Sequence, residues 1–185
     1  MFRSSSLLPP LRLTFIMWLV FTLEVNLSLD LGFLGIYPRT TVGLIGILTA
    51  PMVHGSLVHI LSNTFPLLFL GVALYYFYDK IAARVFLQCY LFTGVLVWVF
   101  ARPVYHIGAS GVIYGLAFFM ISFGIFRKDV KSILLSVIVV LLYGGIIYGI
   151  FPAQTGVSWE SHLMGAVVGV VTAYTLSRVK KVSSR

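Results

Sequence analysis

Long apolar runs separated by short polar hinges dominate the chain. Six of them approach the roughly 20 apolar residues that a membrane-crossing helix requires: Leu13 to Leu29, Leu57 to Tyr78, Ala82 to Phe100, Ser110 to Phe126, Ser132 to Phe151 and Ser161 to Leu176. Asp79-Lys80 and Arg127-Lys128-Asp129 punctuate two of the boundaries. The stretch 31–56 is apolar but broken by Pro38, Arg39, Pro51 and several glycines, and its longest clean run, Val42 to Ala50, is too short to span. It is expected to form a long loop that dips into or lies on one leaflet. The pattern predicts an all-α, polytopic membrane protein with six transmembrane helices in a single domain over residues 1–185.

Composition supports lipid as the solvent. Of 185 residues, 59% are hydrophobic and 10% charged, against roughly a quarter charged in a soluble domain. The net charge of +8 does not point to nucleic acid, because the basic residues sit in the gaps between apolar runs. With six spans, one side of the membrane holds Arg3, Arg12, Lys80, Arg84, Arg127, Lys128, Lys131, Arg178, Lys180, Lys181 and Arg185; of the 13 basic residues, only Arg39 and Arg102 fall opposite. The positive-inside rule therefore predicts cytoplasmic N- and C-termini; with no transit peptide evident, a bacterial or archaeal cytoplasmic membrane is the expected location. The single cysteine, Cys89, lies within an apolar run and reads as a small buried hydrophobe.

Polar side chains inside a membrane are costly, and each requires an account. Three clusters begin even-numbered spans on the same, non-cytoplasmic side: His54, His59 and Asn63; Gly108-Ala109-Ser110-Gly111 with Tyr114; and Trp159-Glu160-Ser161-His162 with Gly165 and Gly169. Ser110 has small neighbours that let a peptide approach its hydroxyl, and it opens a predicted helix whose free N–H groups can face an oxyanion. By itself the motif equally describes a serine capping a helix. His162 is a suitable base for a serine hydroxyl. Gly165 and Gly169 share its helical face and permit close helix contact. His59 and Asn63, four residues apart, stack on one face as possible oxyanion donors. Glu160, two residues from His162, points elsewhere on a helix and is expected to mark the membrane edge. The four histidines lack a metal-site spacing, and no metal or other cofactor is expected. Ser56, Ser62, Ser161 and Gln154 lie where they can hold water near the site. Glu24 and Asn26 in the first span carry no assignable role.

In order, spacing and topology, these motifs resemble the rhomboid family of intramembrane serine proteases over nearly the whole chain. The resemblance implies a Ser110–His162 dyad acting through an acyl-enzyme, with the Ser110 N–H, His59 and Asn63 as oxyanion donors. It further implies that His54 and Gly108 support the site and that Tyr114 packs on His162. Substrates would be transmembrane proteins cleaved near the extracytoplasmic boundary and admitted laterally past the second and fifth helices. Many bacterial members carry Trp-Arg in the first long loop, where this chain has Tyr37-Pro38-Arg39, so the anchoring of that loop is not carried over. An inactive rhomboid-like protein that binds transmembrane clients is the alternative; a histidine-based transporter would leave the Gly-Ala-Ser-Gly turn without a purpose. The physiological substrate and the oligomeric state are not legible in the sequence.

Overall fold

The structure, a computed structural model, describes residues 8–152 and 156–178. Gln154, Arg3, Lys180, Lys181 and Arg185 lie outside the described residues. Among the described residues, seven α-helices follow in order: α1 (Leu8–Asn26), α2 (Gly46–Thr49), α3 (Leu57–Phe77), α4 (Asp79–Phe100), α5 (Ser110–Arg127), α6 (Val130–Tyr143) and α7 (Trp159–Ser177). A 3-10 segment, Gly144–Ile150, continues α6, and together they form one 21-residue apolar run. Among the described residues, four helical segments are long and apolar enough to cross a membrane: α3, α4, α5 and the extended α6. α1 and α7 are 19 residues each and turn Phe15, Leu19, Val167 and Val171 outward, an exposed apolar surface suited to lipid. The protein is a helical membrane bundle.

Local chemistry sets the helix ends. Ser56, Asp129 and Ser158 stand just before α3, α6 and α7, and each side chain accepts a hydrogen bond from a backbone N–H of the first turn. Lys128, at φ 57°, takes the left-handed conformation that stops α5. Pro66 sits inside α3 and cannot donate to the carbonyl one turn earlier.

α5 is the central helix: 67% of its span is buried, against 17% for the α6 segment. α5 and α7 make the most extensive helix pair. A Cβ at Gly165 would fall on the Gly111 carbonyl oxygen, and one at Gly169 on that of Gly115, so the two backbones touch. Phe119, Phe123, Met120 and Leu116 of α5 are fully buried in the main core with Met17, Leu67 and Leu70.

Two helix boundaries differ from the sequence expectation. The first helix occupies 8–26 rather than 13–29, because the chain turns after Asn26 and Ser28 adopts φ 50°. Glu24 acts there: its main-chain oxygen accepts from Leu29 N–H and its carboxylate from Leu31 N–H, so it closes the helix end. The fifth helix starts at 130 and changes to 3-10 winding after Tyr143. The long loop over 31–56 is built from short helical turns, Gly32–Leu34, Val42–Leu44, α2 and Ala50–Met52. Arg39 fastens it to the end of α4, its guanidinium donating to the carbonyls of Ala101 (2.7 Å) and Val99 (3.2 Å), while Trp98 donates to the Thr40 carbonyl. A two-residue bridge, Ile36 with His106, ties the stretch to the segment that precedes α5.

Candidate active site

Backbone contact between α5 and α7 puts the first turn of one beside the first turn of the other. Ser110 is the first residue of α5, half-buried, and His162 lies in the first turn of α7, buried. The hydroxyl of Ser110 is 2.9 Å from His162 Nε2. The Tyr114 ring lies flat on the imidazole, with centroids 4.0 Å apart and planes within 6°. On the other side, His162 Nδ1 is 2.8 Å from the main-chain oxygen of Gly149.

The remaining sequence candidates surround this pair. Ser110, His162, Tyr114, His59 and Asn63 all line one cavity of about 1220 Å³. Gly108 takes φ 101°, open to glycine, and a Cβ there would lie 2.6 Å from His59 Nε2, so the His59 ring rests directly against the turn before Ser110. Asn63 is buried and donates through Nδ2 to the His59 carbonyl at 2.8 Å, leaving Oδ1 without a partner among the described residues. His54 is buried with its ring 4.9 Å from that of His59, and its Nε2 faces the Ala109 N–H at 3.5 Å. Ser56 caps α3 by accepting from the His59 N–H and Ser62 donates to the His59 carbonyl; both line the cavity. Ser161 is buried and turned away from it, in contact with Ser158.

Glu160, read from the sequence as an edge residue, stands in the first turn of α7 and has a partner the sequence did not indicate. It is buried, and its carboxylate is 2.8 Å from the Arg102 guanidinium, which comes from the segment before α5. Arg102 also donates to the Val157 carbonyl. Beside this pair the His106 imidazole is 2.6 Å from the Ser158 hydroxyl and 3.0 Å from the Arg102 carbonyl. The carbonyl can only accept, so His106 donates through Nε2 and the Ser158 hydroxyl donates to Nδ1. This network clamps the start of α7 to the segment that leads into Ser110. Sequence reading noted His106 only as one of four histidines and missed Gly149; the signal for the latter was a proline three residues on, at Pro152.

Burial sets the charge of the outer histidines. It pushes His54 down to about 4, helped by the neighbouring His59 ring, and lowers His106 below its ordinary value despite the accepting Arg102 carbonyl. Both are depressed relative to the unfolded chain, whose histidines titrate near 6.5. The unfolded state therefore takes up protons first, and the stability these rings contribute is present above about pH 6.5 and lost as pH falls through the folded values. The thermal midpoint in detergent is expected to drop between pH 7 and pH 4.5; a midpoint constant over that interval would contradict the buried, neutral placement of both rings.

Residues 41–179 match a family model described as the Rhomboid domain. An uncharacterized protein of Mycobacterium tuberculosis is 37% identical over 160 residues, covering 77% of this chain and 63% of its own length. Another from Mycobacterium leprae is 35% identical over 149 residues, with 71% and 56% covered. RHOMBOID-like protein 4 of Arabidopsis thaliana is 29% identical over 139 residues, with 70% and 33% covered. The chain thus spans less than two thirds of the length of these relatives.

Proposed function

Because the chain belongs to the rhomboid family, we propose that it is an intramembrane serine endopeptidase, with Ser110 as nucleophile and His162 as general base. The observation that carries this reading is the 2.9 Å approach of a hydroxyl to an imidazole nitrogen, in a cavity within a helical membrane bundle. His162 Nε2 takes the Ser110 proton as Oγ adds to the scissile carbonyl carbon. The carbonyl oxygen becomes an oxyanion, received by the free N–H of Ser110 at the α5 terminus together with the His59 and Asn63 side chains. Collapse of the tetrahedral intermediate breaks the C–N bond, and His162 returns its proton to the leaving amine. Water then attacks the acyl-enzyme, with His162 again the base.

In this reading the substrate is a transmembrane protein cut near the extracytoplasmic boundary. Lateral access between α3 and α6 is supported by the cavity wall, to which α3 contributes Pro66 and the α6 segment Tyr143, Ile146 and Tyr148. The distribution of basic residues supports cytoplasmic termini. Reconstitution in proteoliposomes with a panel of single-span substrates tests the proposal. The wild-type chain is expected to cleave within or beside a span and to be labelled by a fluorophosphonate; clients bound without cleavage or labelling would favour the inactive client-binding alternative.

A further inference from the structure

His162 has two ring nitrogens, and each has one partner: Nε2 the Ser110 hydroxyl, Nδ1 the Gly149 carbonyl. A carbonyl oxygen has no hydrogen to give, so Nδ1 carries the ring proton. A neutral imidazole has one N–H, which leaves the lone pair of Nε2 facing Ser110, the tautomer a base requires. We infer that the Gly149 main-chain carbonyl is the positioning group for His162, filling the place that a carboxylate fills in three-membered serine sites. The inference rests on the proteolytic reading of the Ser110–His162 pair.

The local sequence explains why this carbonyl is free. In the 3-10 winding of 144–150 each carbonyl is met by the N–H three residues on, as the Phe151 N–H meets the Tyr148 carbonyl at 3.3 Å. For Gly149 that residue is Pro152, which has no N–H. The unclaimed oxygen is thereby left to the imidazole. Glycine is required at the same position for a second reason. A Cβ would collide with the Tyr114 hydroxyl and lie 3.2 Å from His162 Nδ1, so only a bare α-carbon lets the chain approach the ring edge while Tyr114 covers the ring face.

Among the described residues, no carboxylate competes for the role. Glu160 is the nearest acid in sequence, but it is held by Arg102 and stands two residues from His162, off its helical face. A neutral acceptor also orients the ring without burying a further charge in an apolar bundle. The base is thus aimed by the α6 segment, which also borders the cavity.

The test reads the tautomer directly. In protein labelled with 15N-histidine and held in bicelles, the His162 signals, identified by their loss in His162→Ala, are expected to show a protonated Nδ1 and an unprotonated Nε2. An Nε2–H ring, or an even mixture, in chain that cleaves substrate overturns the inference alone. An Nδ1–H ring in chain that neither cleaves nor reacts with fluorophosphonate supports the contact and removes the protease reading. Gly149→Ala is expected to displace the ring by about 1 Å and lower kcat about 100-fold with KM little changed, together with loss of the Nδ1–H preference. Adding Tyr114→Phe removes the first obstruction and is expected to restore part of both; full activity and an unaltered tautomer in Gly149→Ala would refute the role.

Discussion

Ser110→Ala is expected to reduce substrate cleavage about 10⁶-fold, leaving only the residual rate that binding and the oxyanion donors supply, while the helix bundle stays folded. The substitution deletes one oxygen at the first residue of α5, where the cavity rather than the core receives the side chain. Nothing in the packing is removed, and alanine suits a helix start well enough to leave stability within about 0.5 kcal/mol. Ser56 and Ser62 also line the cavity, but they are engaged with the backbone of His59, and neither has the imidazole of His162 as a partner. They do not substitute for the missing nucleophile. His162→Ala is expected to cause a loss of the same order, and the double variant no further loss, because a nucleophile and its base act as one unit. Cleavage by Ser110→Ala at about one hundredth of the wild-type rate or more, measured in proteoliposomes, would exclude Ser110 as nucleophile.

Gly165→Ala is expected to destabilise the bundle by about 3 kcal/mol or more, the upper part of the range for overpacking. The added methyl would land on the carbonyl oxygen of Gly111 and lie 3.2 Å from the backbone nitrogen of Gly115. Both obstacles are main chain within a helix, and neither can rotate aside as a side chain would. The helices must separate, and because Gly111 follows Ser110 and Gly165 follows His162 by three residues, separation also lengthens the contact between hydroxyl and imidazole. Stability and cleavage should therefore fall together. Gly145→Ala is the matched control: a Cβ there meets nothing within 4 Å, and its unfolding midpoint in detergent should match the wild type. Equal midpoints for the two variants would show that the α5–α7 contact is not what holds the bundle.

The side-chain part of the site was legible in the sequence because topology is a strong constraint in a membrane. Apolar run length placed the His54, Ser110 and His162 clusters at one depth, and the 3.6-residue period put Gly165 and Gly169 on the face of His162. What the sequence concealed is carried by the main chain or by distant partners. The Gly149 carbonyl has no side-chain signature, and only the proline at 152 hints that it is unclaimed. Arg102 and Glu160 are far apart in sequence, so nothing local pairs them, and Glu160 read as an edge residue. The short turns of 31–56 have too few residues to establish a helical period, and their form is decided by tertiary anchors such as Arg39 and Trp98. The change of winding after Tyr143 is invisible for the same reason: Gly144, Gly145 and Gly149 weaken the helix without stating what replaces it.

The glycine contacts between α5 and α7 have a mechanical consequence. Two backbones in direct touch form a stiff pair, since no deformable side chain lies between them at the glycines, whereas only 17% of the α6 segment is buried against the rest of the protein. A change of bilayer thickness or lateral pressure is taken up by the compliant flank and hardly at all by the rigid one. The Ser110–His162 contact rides on the stiff pair, while the Gly149 carbonyl that meets His162 rides on the yielding flank, so the membrane's influence reaches the imidazole through that one contact.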